Sequence, residues 1–148
     1  MSLLADLKKI YLETDLHLQK KEMAARTENA KKAWMQKRDL NGKAYFMLMF
    51  AYFEDQVNQY CSSLVDERKA TVLSAKNTRI WNAIDLENLG FMKRIGILTD
   101  KGKTNYNDVA RMYEIRCEIA HGAFSNVAAI YILHEYAFFR RLLRELKP

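Results

Sequence analysis

Arg116 and His121 are the residues of this chain best equipped for chemistry. They sit five positions apart in Arg116-Cys117-Glu118-Ile119-Ala120-His121, and Gly122 follows at once. A guanidinium holds a phosphate through charge-assisted hydrogen bonds. An imidazole, with an ordinary pKa of about 6.5, exchanges protons near neutral pH. Together they form the minimum set for cutting a phosphodiester without a metal. No other constellation in the chain matches it: there is no Gly-rich phosphate loop, no HExxH pair and no convincing helix-turn-helix signature.

The elements that must position the pair are helical. The 148 residues include one proline, Pro148, and five glycines, so little interrupts a helix. No segment alternates convincingly at period two, and no sheet is predicted. The expected fold class is all-α, a bundle of four or five helices in a single domain spanning 1–148. A chain of this length buries roughly 70% of its unfolded surface.

The first segment, about 2–36, reads as one long helix or two short ones. Asp39-Leu40-Asn41-Gly42 reads as a turn. A second helix is expected over 43–66, with Phe46, Phe50, Phe53, Val57, Tyr60 and Leu64 stepping by threes and fours. Tyr45, Leu48, Met49 and Tyr52 give it a second apolar face, which suits contact with another subunit. Residues 67–77 read as a connector, and a third helix over 78–97 is bent or divided at Gly90. A loop at 99–103 leads to a fourth helix starting at Thr104 or Asn105. Residues 122–125 bend the chain before a last helix over 126–146, which is apolar at Ile132, Tyr136 and Phe139 and basic at Arg140, Arg141 and Arg144.

On a wheel of the fourth helix, Arg116 falls near the middle of the stripe made by Val109, Met112, Tyr113, Ile119 and Ala120. His121 lies about 140° away. An arginine in an apolar stripe is costly unless it is paired or opens onto a cleft. Spacing alone leaves two readings open. In one, Arg116 makes a structural salt bridge to Glu54, Asp55 or another carboxylate. In the other, it serves a site.

Lys plus Arg is 24 and Asp plus Glu is 18, a net charge of +6 that suits an anionic partner such as nucleic acid. The two cysteines, Cys61 and Cys117, show no disulfide framework or CxxC spacing, as in a reducing compartment. Leu3-Leu4-Ala5 gives way to Asp6 and Lys8-Lys9, unlike a signal peptide, and no apolar run reaches the roughly 20 residues of a membrane span. A cytoplasmic location without membrane association is expected. Cys117 and His121 are four apart, but no further Cys or His completes a metal set, so no metal or other cofactor is expected. His134, between apolar residues, reads as a core or interface histidine, and His17 as a surface one.

The stretch Glu114-Ile115-Arg116-Cys117-Glu118-Ile119-Ala120-His121-Gly122 resembles the signature of the HEPN superfamily, an arginine followed after four to six residues by a histidine. It is most similar to the RNxIAHG form of the ribonuclease-type branches. The helical pattern, Phe53-Glu54 on an aromatic second helix, and the motif's place before the last long helix resemble that superfamily as well. The resemblance implies a HEPN-like bundle of four or five helices and a homodimer whose two motifs face each other across a cleft. It also implies metal-independent endoribonuclease chemistry leaving a 2′,3′-cyclic phosphate. His121 would be the general acid or base and Arg116 the phosphate holder, with Cys117 and Glu54 supporting. Lys101, Lys103, Arg111, Arg140 and Arg141 would attract the RNA backbone. Such domains often serve as toxins or antiphage effectors, so an antitoxin or regulatory protein is an expected partner. The chain departs from the pattern at Cys117, where a polar residue, commonly Asn, is usual. The resemblance also admits a non-catalytic module that binds a nucleotide or a protein.

Overall fold

The computed structural model describes residues 2–71 and 75–148. Among them the chain is all-helical. It forms α1 (Leu3–Met23), α2 (Glu28–Ala70), α3 (Ala75–Asn82), α4 (Phe91–Leu98), α5 (Thr104–Ala120) and α6 (Ile132–Glu145), with a 3-10 turn at Phe124–Asn126 between α5 and α6. The all-α expectation holds, with six helices in place of four or five.

The largest difference from the sequence reading is α2. It starts fifteen residues before the expected position and runs through the predicted turn at 39–42 without a break. Thr27 opens it, its Oγ1 accepting the Ala30 N–H at 3.2 Å. Two of the supposed turn residues serve the helix instead. Asp39 pairs with Lys43 one turn later at 2.7 Å. Gly42 allows a close approach, since a Cβ there would stand 3.4 Å from the Ile130 carbonyl oxygen. Residues 67–70 of the expected connector continue α2, and 75–77 open α3; 72–74 lie outside the described residues.

The expected third helix is two, α3 and α4, with a turn between them. Asp85 organises that turn by accepting the Glu87 N–H at 3.1 Å and the Asn88 side-chain amide at 2.7 Å. Arg94 of α4 donates back to the carbonyls of Leu89 at 2.8 Å and Leu86 at 3.0 Å. The last helix starts at Ile132, not at 126, because 127–131 takes no regular structure.

The described residues fall into two compact units, and α2, α5 and α6 contribute to both. The first takes the chain up to Tyr52 together with Tyr113–Arg140. There α1 lies along the start of α2. Tyr11 and Tyr45 meet edge to face at 5.5 Å, and Arg38 binds Asp15 through two hydrogen bonds of 3.0 and 2.9 Å and Glu22 through one of 2.8 Å. The core centres on Phe46, Phe50 and Phe139. The Phe139 ring lies 5.9 Å from Phe46 and 6.1 Å from Phe50, and Phe50 lies 6.2 Å from Tyr113.

The second unit comprises Phe53–Met112 and Arg141–Pro148. Phe53, Val57, Cys61 and Val65 of α2 are buried there. The sequence reading placed Tyr60 and Leu64 on that stripe; the buried positions are the next residues along. Phe53 meets Phe91 at 6.3 Å. The Cys61 thiol donates to the Arg94 carbonyl at 3.3 Å, and burial pushes its pKa up to about 11, with the nearby Arg94 charge opposing.

Candidate active site

Helix α5 turns Val109, Met112 and Ile119 inward, and all three are buried. Arg116 stands one turn after Met112, about 40° round the helix, and about 60° from Ile119. It therefore lies on the core-facing stripe, as its spacing predicts. Yet Arg116 is only half-buried, and among the described residues its guanidinium has no hydrogen-bond or ion-pair partner. Among the described residues, the structural salt bridge left open by the sequence is absent. Asp55, one of the proposed partners, instead accepts from the Gln59 amide at 2.8 Å. Half-buried and unengaged among the described residues, the Arg116 guanidinium keeps its donors for an incoming anion.

His121 caps the C-terminus of the same helix. Its N–H closes the last α-helical bond, to the Cys117 carbonyl at 3.0 Å. Gly122 then turns into the left-handed region at φ 78°. Its N–H reaches the Ile119 carbonyl at 3.0 Å, and the Ala123 N–H reaches that of Glu118 at 3.0 Å. These are the two bonds of a Schellman cap. The motif thus ends in a glycine because the backbone must turn left-handed there. The imidazole of His121 is exposed and has no hydrogen-bond partner among the described residues. Gly122→Ala is expected to cost about 1–2 kcal/mol, the ordinary penalty of a left-handed alanine; urea unfolding checks it, and a neutral result would remove the cap from the account.

Cys117 is half-buried, one turn before His121 and about 40° from it round the helix. Glu54 lies in the second unit, half-buried, with no side-chain partner among the described residues. Of the residues expected to attract RNA, Arg140 shares the first unit with the motif, and Lys101, Lys103, Arg111 and Arg141 belong to the second. Lys101 is exposed. Lys103 is exposed as well and pairs with Asp100 at 2.9 Å. Arg140 lies over the Tyr136 ring at 5.7 Å. Arg141 is engaged by Asp108 at 2.7 Å and Glu145 at 3.4 Å, so its guanidinium is largely committed within the fold. His134, expected in a core or interface, has an exposed side chain that stacks on Phe138 at 6.2 Å.

Lys43 is a residue the sequence reading passed over. It is 3% exposed, and its ammonium donates to Asp39 at 2.7 Å and to the Phe124 carbonyl, just past the motif, at 2.8 Å. The signal was present in the spacing: 43, 46, 50, 53 and 57 step 3-4-3-4, which puts a lysine on the buried stripe of α2.

The first unit also holds an open groove of about 670 Å³, lined by Leu12, Met35, Tyr131 and Leu133 with Asp15 and Arg38. Its lining includes neither Arg116 nor His121, so this groove and the unit's best-equipped chemistry are separate places. Among the described residues no group of three or more His, Cys, Asp or Glu is placed to hold a metal ion, and no helix is long and apolar enough to cross a membrane. In comparisons with known proteins, no family model, curated protein or solved structure matches this chain.

Proposed function

We propose that this chain is a metal-independent endoribonuclease built as a HEPN-like helical bundle, with Arg116 and His121 as its reacting pair. The observation that carries the proposal is Arg116: an arginine on the core-facing stripe of α5, half-buried and without a hydrogen-bond or ion-pair partner among the described residues, five positions before an exposed histidine. A structural arginine in that position would be expected to have found a carboxylate. A phosphate-binding one keeps its donors free until substrate arrives.

In the proposed reaction His121 takes the proton from a ribose 2′-hydroxyl, or gives one to the leaving 5′-oxygen. The 2′-oxygen attacks phosphorus, the bond to the 5′-oxygen breaks, and a 2′,3′-cyclic phosphate remains. Arg116 stabilises the charge that develops on the non-bridging oxygens. A single motif carries one histidine, so two proton transfers are best served by a homodimer that brings two motifs to one cleft. Cys117 supports the pair, and the basic excess attracts the backbone of RNA. A cytoplasmic toxin or antiphage effector, restrained by an antitoxin or regulatory protein, is the role we assign by analogy.

The test is incubation of the purified protein with transfer RNA and total RNA in EDTA, followed by analysis of the product ends. Cleavage to cyclic phosphate supports the reading. Intact RNA in the presence of a folded dimer overturns it in favour of a non-catalytic module that binds a nucleotide or a protein, a reading the groove beside Tyr131 would then serve.

A further inference from the structure

The structure assigns Lys43 a positioning role. By holding the Phe124 carbonyl it fixes the chain that leaves the motif, and through that chain the direction in which His121 presents its imidazole. This inference rests on the nuclease reading of Arg116 and His121, and deepens it.

The imidazole of His121 has no hydrogen bond of its own among the described residues. Its placement therefore depends on the backbone on either side. The helical side is secured by α5. The other side is the short path 122–126, tied back to α5 by the Gly122 N–H to the Ile119 carbonyl at 3.0 Å, by the Ala123 N–H to the Glu118 carbonyl at 3.0 Å and by the Asn126 side-chain amide to the Glu118 carboxylate at 3.3 Å. All of these ties end in the last turn of α5. They keep the path close to α5, but none of them connects it to another element.

Lys43 supplies that connection. Phe124 does not anchor the path by burying its ring, since it is 41% exposed. Its carbonyl is what α2 holds. Lys43 reaches that carbonyl across 81 residues of sequence, whereas its other partner, Asp39, is one turn away on its own helix. The local pair would form in an isolated helix. The long-range bond requires the folded unit. A lysine at 3% exposure is rare unless its donors are satisfied, and here one of them is spent on the segment immediately after the proposed active histidine.

Two substitutions separate positioning from simple support. Lys43→Met keeps the stem and removes every donor. Lys43→Gln removes the charge but keeps an N–H for the Phe124 carbonyl. We expect Lys43→Met to lower kcat on RNA at least tenfold, with KM changed less than about twofold because no phosphate contact is lost, and Lys43→Gln to recover most of the rate. The ring signals of His121 in NMR spectra should shift or broaden in Lys43→Met and return in Lys43→Gln, while those of His17 stay fixed.

A Lys43→Met enzyme with wild-type kcat and an unmoved His121 signal overturns the role. So does a Lys43→Gln enzyme as impaired as Lys43→Met, because the buried charge and not the bond would then matter. If wild-type protein cleaves no RNA, the nuclease reading fails and the His121 signal alone decides whether Lys43 orients that ring. Should Lys43→Met not fold, Lys43→Gln decides: a wild-type ring signal upholds the bond, and a displaced one in folded protein overturns it.

Discussion

His121→Ala is expected to lower RNA cleavage by about 10²–10⁴-fold, the usual contribution of a positioned general acid or base. The fold should survive. The side chain is exposed and has no partner among the described residues, the helix is ended by the backbone bonds of Gly122 and Ala123, and surface substitutions of this kind usually lie within about 0.5 kcal/mol of neutral. Loss of activity at unchanged stability therefore points to chemistry at the ring. The wild-type rate should not respond to EDTA, because the proposed reaction draws its charge stabilisation from Arg116. An alanine variant that cleaves as fast as wild type would remove His121 from the mechanism, whatever the wild-type protein does to RNA.

The second large effect is on stability. Phe139 of α6 is fully buried and touches both Phe46 and Phe50 of α2. Phe139→Ala is expected to cost about 3–5 kcal/mol through lost burial and the cavity left behind. Domains carry only about 5–15 kcal/mol in all, so this one change removes a large share of the total. Tyr131→Ala is the control: at 78% exposure it should change stability by less than about 0.5 kcal/mol. Urea melts followed by far-UV circular dichroism check both. A loss below about 1 kcal/mol for Phe139→Ala would mean that the ring cluster is not the mechanical centre of the first unit.

The helical content was legible because the evidence for it is local. One terminal proline and the steps between Phe46, Phe50, Phe53 and Val57 are properties of neighbouring residues, and those four positions are indeed buried. What the sequence hid depends on distant contacts. Asp39-Leu40-Asn41-Gly42 has the composition of a turn, but Asp39 pairs forward with Lys43 and Gly42 makes room for Ile130, which lies far along the chain. The stripe of α2 moves from the expected Tyr60 and Leu64 to Cys61 and Val65, where the Cys61 thiol meets the Arg94 carbonyl of α4. The last helix starts late: the Ile130 carbonyl, two residues before α6, faces Gly42 of α2.

The motif divides in the same way. Its place on one helix, the angle between Arg116 and His121, and the terminating role of Gly122 are all readable from spacing. That Arg116 has no partner among the described residues is a fact about the surrounding side chains, and no pattern within α5 could report it. Lys43 is intermediate: its position on the buried stripe was readable, but its hold on Phe124 was not.

The contrast between the two cysteines has a practical consequence. Cys61 is sealed in the second unit, with a thiol that resists ionisation at neutral pH. Cys117 is half-open and stands one turn from His121. A maleimide added to the native protein should therefore modify one position, with the second thiol labelled only after unfolding, a difference that mass spectrometry counts directly. The unmodified sequence thus carries a built-in attachment point beside the histidine, where a fluorophore would report what approaches the motif without any engineered residue.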